Sequence, residues 1–272
     1  MKLRIGYELI YDFPQPTPVI LAVNVHSSRA NDLIVPDELV TEPKLTISGY
    51  YDAFGNRCHR ILAPAGRVRL STDALIYDSG QPDEVGWAAR QDTVQDLPEE
   101  TLVFLLGSRY CETDLLSATA WQLFSGTTPG YACVQAICDF VQRHITFDYQ
   151  KALATRSANE AFQGQVGVCR DYAHLAIAFC RCMNIPARYC TGYLSDIGTP
   201  LPYPPGDFAA WFEAWIGGRW YLFDPRNNVP RIGRVLMARG RDAADVAIAT
   251  TFGPNTLQSF RVWTVEATET PN

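Results

Sequence analysis

The first eighty or so residues alternate between apolar and polar side chains, with the period of two that is typical of β-strands. The clearest run covers residues 2–13, where every second side chain is apolar and Ile10 is the exception. Further strand-like runs cover residues 19–25, 45–51, 58–62 and 68–76. Because such strands bury one face and expose the other, this pattern predicts a small antiparallel β-sandwich at the amino terminus.

The hydrophobic period becomes helical beyond about residue 98. Residues 130–144 carry an apolar stripe that predicts a helix with one buried face. Residues 169–183 leave almost no polar face, so they predict a central helix that is buried on nearly all sides. Pro186 ends this helix, and residues 187–194 read as the strand that follows it.

Two glycines, Gly217 and Gly218, separate the last strongly apolar runs and predict a two-residue hairpin turn. With this turn, Ile216 lies opposite Arg219, and Trp211 lies opposite Asp224. Side chains alternate between faces, so position 209 shares a face with Asp224 and is its diagonal neighbour. The expected Cβ separation of that pair is roughly 7 Å or somewhat less.

Together these patterns predict an α+β protein in three parts. The first is a β-domain with its linker at residues 1–97, and the second is a core of a buried helix on an antiparallel sheet at residues 98–250. The third, residues 251–272, is expected to contain a strand that returns to the amino-terminal sheet. Within the core, residues 231–247 mix charges of both signs and are expected to form a crossover connection.

Composition narrows the class of protein. Of the 272 residues, 47% are hydrophobic and 19% are charged, which is typical of a globular chain. A formal net charge of -6 without a Lys/Arg stripe argues against a nucleic-acid partner. No secretory leader or apolar run of bilayer length is seen, so no membrane association is expected.

The eight cysteines show neither the spacing of a disulfide scaffold nor that of a zinc site. They are expected to be reduced thiols, which predicts a cytoplasmic location and no metal or other cofactor.

Cys169 is the candidate nucleophile because it stands at the start of the predicted central helix. The first N–H groups of a helix lack internal partners, and the helix dipole adds positive charge there. Both effects favour the thiolate, so we expect a lowered pKa for Cys169. Its N–H group is also a candidate donor to an oxyanion. The alternative is that Cys169 is a small buried side chain without chemistry.

Four motifs extend this prediction to a family. They are Gly-Val-Cys-Arg-Asp-Tyr-Ala-His at 167–174, Ile-Pro-Ala-Arg-Tyr at 185–189, Asp-Phe-Ala-Ala-Trp-Phe-Glu-Ala-Trp at 207–215 and Arg-Trp-Tyr-Leu-Phe-Asp-Pro at 219–225. Together they resemble the transglutaminase-like superfamily, in particular its bacterial branch with an amino-terminal β-domain. The resemblance implies a papain-like core with a Cys-His-Asp triad, in which Cys169 is the nucleophile and Asp224 the acid. The histidine matches position 209, which is Ala209 in this chain.

Alanine cannot take the thiol proton or protonate a leaving amine. The four histidines, His26, His59, His144 and His174, all precede the hairpin, and none is expected to replace the missing base. Asp224 therefore has two interpretations of about equal weight, an inherited catalytic acid or a strand-end hydrogen-bond acceptor. Arg170 and Asp171 are expected to form charged pairs at the surface or at an interface.

The resemblance implies a cysteine protease, amidase or acyl transferase that acts on a peptide or protein through a thioester at Cys169. With an incomplete triad, little or no turnover is expected. One alternative is a catalytically silent module that binds a peptide or a protein in the same cleft. Another is that alanine was introduced at position 209 to trap an otherwise normal enzyme.

Overall fold

The computed structural model describes residues 1–201 and 206–267. The strands are β1 (Lys2–Phe13), β2 (Thr17–Leu21), β3 (Leu33–Val35), β4 (Val40–Glu42), β5 (Ser48–Tyr51), β6 (Arg57–Ala63), β7 (Gly66–Tyr77), β8 (Thr146–Phe147), β9 (Val166–Gly167), β10 (Ala187–Leu194), β11 (Ala209–Ile216), β12 (Arg219–Phe223), β13 (Arg234–Gly240), β14 (Ala249–Thr251) and β15 (Thr256–Glu266). The α-helices are α1 (Glu99–Leu102), α2 (Thr113–Phe124), α3 (Tyr131–His144), α4 (Ala158–Gly164) and α5 (Cys169–Cys182).

Two antiparallel sheets pack together at the amino terminus, as the alternating pattern predicted. One sheet has the order β15-β1-β7-β3, with β4 also paired to β7, and the other has the order β14-β2-β6-β5. Apolar side chains from both sheets fill one core between them, among them Leu3, Ile5, Leu9, Val19, Leu21, Ile61 and Leu70. The predicted sandwich is confirmed, since the apolar face of each strand is the buried one.

The last strand, β15, pairs antiparallel with β1 from Leu3↔Glu266 to Asp12↔Thr256. The preceding strand, β14, pairs with β2 in the other sheet. Both sheets of the sandwich therefore contain strands from the two ends of the chain. Residues 268–272 of the predicted carboxyl-terminal segment lie outside the described residues.

The core is built around α5. This helix contacts α2, α3 and α4 as well as strands β10 and β11. Every residue of α5 from Asp171 to Cys182 is buried, as its apolar sequence predicted. The supporting sheet has the order β12-β11-β10-β13, so the central helix does pack on an antiparallel sheet.

The hairpin of β11 and β12 has the predicted register, with Trp215 opposite Trp220 and Ile216 opposite Arg219. Its turn requires glycine, because Gly217 and Gly218 have φ angles of 58° and 80°. Consequently Ala209 and Trp211 lie on the face opposite to Ala210 and Phe212, which pack in the core beside α5.

The expectation of a crossover connection over residues 231–247 is wrong, because this segment contains β13, which pairs with β10. Val235 and Met237 pack into the sandwich core, whereas Ala238 packs into the core around α5. A strand that is buried on both faces lacks the alternating pattern by which the other strands were recognised.

No helix within residues 1–201 and 206–267 is both long and apolar enough to cross a membrane.

Candidate active site

Three residues that flank Cys169 determine how α5 begins. The carboxylate of Asp171 turns back and accepts the N–H of Val168 at 2.9 Å, which satisfies one free donor at the helix start. A Cβ atom on Gly167 would lie 2.5 Å from Asp171 Oδ2, so this close turn requires glycine. Asp171 is fully buried and is paired with Arg156 at 3.0 Å. The expected charged pair is present, since Arg170 Nη1 lies 3.6 Å from Asp171 Oδ1. A surface location is wrong for Asp171, whose buried carboxylate holds the preceding turn against the helix.

Cys169 lines a small cleft of about 70 Å³ at the amino-terminal end of α5. Seven of the eight cysteines are buried, and Cys169 alone keeps part of its surface exposed. The cleft is completed by the loop before β11, by the start of β11 and by the loop after β12. Its other lining residues are Tyr149, Leu194, Asp196, Gly206, Asp207, Phe208, Ala209, Ala210, Arg226, Asn227 and Arg231.

The electrostatic environment of Cys169 differs from the one expected at a bare helix terminus. Burial among protein atoms and the negative charge of Asp207 raise the pKa of the Cys169 thiol to about 11. A hydrogen bond from the backbone of Ala210 and the charge of Arg226 oppose this rise without cancelling it. The expectation of a lowered pKa is therefore wrong, because lost hydration and a neighbouring carboxylate outweigh the helix terminus.

Ala209 is the first residue of β11, pairs with Gly192 and lines the cleft together with Cys169. The structure thus brings the sulfur and the position assigned to the histidine to one site. Asp224, one residue beyond β12, is buried and lines a second, larger cavity of about 490 Å³. Asn227 lies between the two sites, because it lines the cleft and also donates to Asp224.

Three hydrogen bonds hold the carboxylate of Asp224. The backbone N–H and the side-chain amide of Asn227 donate to it at 3.1 and 2.7 Å. Arg234 Nη2 donates at 3.0 Å, and the same nitrogen lies 3.1 Å from Asp83 Oδ2. Trp211, which the predicted hairpin register places opposite Asp224, does not bind it, since Trp211 Nε1 has no hydrogen-bond partner among the described residues. Asp224 is therefore positioned by Asn227 in the loop after β12 and by Arg234 at the start of β13, and Asp83 in turn pairs with Arg234.

None of the four histidines lines the cleft. His174 is fully buried, stacks on Tyr110, and accepts the N–H of Ala243 at 3.1 Å. His144 stacks on Phe162, and its Nε2 lies 2.7 Å from the carbonyl oxygen of that residue. His26 and His59 belong to the amino-terminal half of the chain. The described residues therefore place no imidazole beside Cys169.

Of the four charged residues that line the cleft, three lie in or near the motifs, although the sequence had predicted no role for them. Asp207 precedes position 209 by two residues, while Arg226 and Arg231 lie in the loop after Asp224. The only signal for them was their position at the edges of the motifs. These side chains come together because the loop before β11 and the loop after β12 both fold over the amino-terminal end of α5.

A buried helix that begins at a cysteine and packs on an antiparallel sheet defines a papain-like core. The family model of the transglutaminase-like superfamily matches residues 117–225. The crystal structure of a candidate cysteine protease from Cytophaga hutchinsonii is similar over the whole chain. It is 32% identical, covers 100% of this chain and 93% of that chain, and has a TM-score of 0.84. The chain belongs to the transglutaminase-like superfamily.

Curated relatives match shorter stretches. An uncharacterized protein of Mycobacterium leprae is 40% identical over 87 residues, which are 30% of this chain and 30% of that protein. An uncharacterized protein of Mycobacterium bovis is 34% identical over 135 residues, which are 43% of this chain and 41% of that protein. The chain thus spans less than half the length of these curated relatives.

Proposed function

We propose that the cleft at Cys169 is an acyl-transfer site of the cysteine protease and transglutaminase type, with little or no turnover while position 209 is alanine. The observation that carries this proposal is the shared cleft of Cys169 and Ala209, to which Asp224 is linked by the hydrogen bond from the cleft residue Asn227. The substrate class is a peptide or protein amide. The family relationship supports a reaction of the cysteine protease and transglutaminase type. The absence of a histidine from the cleft lining supports the expectation of slow turnover.

In the proposed reaction the thiolate of Cys169 attacks the amide carbon, and the carbonyl oxygen becomes an oxyanion. The N–H of Cys169 at the helix start is suited to donate to it. Collapse of this intermediate forms the thioester and expels the amine, which must gain a proton. Water or a second amine then attacks the thioester and releases the thiol.

A histidine would carry the proton from the thiol to the leaving amine, and alanine cannot. Loss of such acid–base help costs roughly 10²–10⁴-fold in rate. With a thiol pKa of about 11, only about one molecule in ten thousand is a thiolate at pH 7. Both effects act on the same step, so turnover is expected to be very slow.

The test is the variant Ala209→His, compared with Ala209→Gln, which has a polar side chain of similar reach but no base. In Ala209→His the imidazolium should stabilise the thiolate, so alkylation of Cys169 by iodoacetamide should become fast at neutral pH. Hydrolysis of peptide amides, or incorporation of a fluorescent amine, should appear only in this variant. The double variant with Cys169→Ala should be inactive.

A second candidate is a catalytically silent module that binds a peptide or a protein. It is favoured by the larger cavity beside Asp224, whose rim includes Trp87 with 64% and Val229 with 56% of its surface exposed. An intact Ala209→His protein that alkylates no faster and stays inactive would support this candidate and contradict the first.

A further inference from the structure

Two guanidinium groups, those of Arg226 and Arg231, line the same small cleft as Cys169. Among the described residues Arg226 forms no ion pair, and Arg231 forms only a long one. Arg231 is nine-tenths buried, and its nearest carboxylate oxygen, Asp196 Oδ1, is 3.5 Å away. Its Nη2 donates to the carbonyl oxygen of Ser195 at 2.7 Å. Its Nε is buried without a hydrogen-bond partner among the described residues. A buried cation with unused donors is costly unless a ligand completes its partners.

Arg226 is held in place by stacking rather than by an ion pair. Its guanidinium carbon lies 4.3 Å from the centre of the Phe147 ring. The hydrogen bond of its Nη1 to Asn227 Oδ1 is long, at 3.3 Å. Its positive charge reaches the reaction centre, because it stabilises the thiolate of Cys169. The guanidinium is therefore oriented at the cleft while most of its donors remain available.

The cleft also carries negative charge. Asp207 lies there and destabilises the thiolate, and Asp196 faces Arg231 across 3.5 Å. An anionic ligand would be repelled by Asp207 and attracted by the arginine pair. Its carboxylate should therefore lie against the side of Arg226 and Arg231, which leaves the sulfur open to a neighbouring amide carbon.

We propose that Arg226 and Arg231 bind a free carboxylate of the substrate, next to the amide that Cys169 attacks. The occupant is an amide compound with a carboxylate a few bonds from its carbonyl carbon, such as the terminal residue of a peptide. Arginine suits this role because its planar donors match the two oxygens of a carboxylate. The inference deepens the proposed function, since it names the substrate class of that same site.

The test is protection of Cys169 from iodoacetamide, which needs no turnover. N-acetylglycine supplies the amide and the carboxylate, and N-acetylglycinamide is the matched neutral probe. In the unmodified chain N-acetylglycine should slow alkylation several-fold, whereas the neutral probe should have little effect. Protection should be lost in Arg226→Gln and Arg231→Gln, partly kept in Arg231→Lys, and unchanged in Arg219→Gln, whose side chain lies outside the cleft and is half exposed.

Each comparison is made within one variant, with and without probe, so a change in thiol pKa cancels. If Arg231→Gln does not fold, Arg226→Gln decides the question. Equal protection by both probes, absence of protection, or protection that survives in Arg226→Gln would overturn the inference. Carboxylate-specific protection combined with an inactive Ala209→His variant would contradict the proposed function alone. Renewed turnover without any preference for a carboxylate would contradict only this inference.

Discussion

Two opposing effects meet at the sulfur of Cys169. The start of α5 favours a negative charge there, and so do the Ala210 backbone and Arg226. Burial and Asp207 disfavour that charge, and they prevail, since the thiol pKa is about 11. In a complete triad an imidazolium would supply the missing positive charge. Under the proposed function, a histidine at position 209 would be both the proton carrier and the main source of thiolate stabilisation, and Ala209 supplies neither.

Replacement of Asp207 by asparagine should make Cys169 more reactive, because it removes the charge that most strongly raises the thiol pKa. Below the pKa the rate follows the thiolate fraction, so alkylation near pH 8 should rise several-fold. The rate of the unmodified chain should climb with pH towards about 11. Iodoacetamide kinetics, with the modified cysteine identified by mass spectrometry, measure both effects.

Asp196→Asn is the matched control, because Asp196 lines the same cleft but faces Arg231. It should leave the alkylation rate nearly unchanged. Equal acceleration in the two variants would contradict the specific role of Asp207.

At the scale of elements, the start of α5 depends on a compact turn. Gly167 leaves space for the Asp171 carboxylate, which accepts the Val168 N–H at 2.9 Å and pairs with Arg156 at 3.0 Å. Any side chain at position 167 would displace that carboxylate. The position of Cys169 thus depends on the buried contact between Gly167, two residues before it, and Asp171, two residues after it.

Gly167→Ala should therefore destabilise the protein, by about 1–3 kcal/mol for an overpacked buried site. Its Cβ atom would lie 2.5 Å from Asp171 Oδ2. Gly164→Ala is the control, since it lies at the end of α4 with nothing within 4 Å of the added atom. Urea unfolding should show a lower midpoint for Gly167→Ala only. Similar midpoints in the two variants would show that the turn adapts at little cost.

At the scale of the whole molecule, the two cores are joined by β13, whose side chains enter both of them. Burial extends to several histidines that form no ion pair with a carboxylate within 4 Å among the described residues. His174 is fully buried, and loss of hydration together with Arg170 and Arg181 holds its pKa well below the usual range. Burial likewise lowers the pKa values of His26 and His59.

These histidines should make the fold sensitive to mild acid. A lowered pKa means that the unfolded chain binds protons first, so stability is complete above about pH 6.5 and decreases as the pH falls below it. Each such histidine contributes a slope of up to about 1.4 kcal/mol per pH unit. Urea unfolding between pH 7.5 and 5.5 should show this loss. The loss of stability on acidification should be smaller in His174→Gln, because glutamine does not titrate in this range. Its amide oxygen can still accept the Ala243 N–H.

An unfolding free energy that does not change over this pH range would contradict this expectation. So would a His174→Gln variant with the same slope as the unmodified chain.

The sequence by itself determined the elements whose periodicity is strong and the register of the hairpin. The apolar run of α5, the alternation of β1 and the Gly217-Gly218 turn are local features, and local rules describe them. The motifs at residues 167–225 also predicted Cys169, Asp224 and position 209 as the triad positions, and that assignment stays a prediction. Each of these conclusions follows from residues that are close along the chain.

Tertiary structure alone decided the electrostatics of the site. The thiol pKa of Cys169 depends on Asp207 and Arg226, which are 38 and 57 positions away along the chain. The doubly buried strand β13 and the buried capping role of Asp171 were missed for a related reason. Hydration and charge interactions depend on distances in space, and these are set only when separate loops and strands pack together.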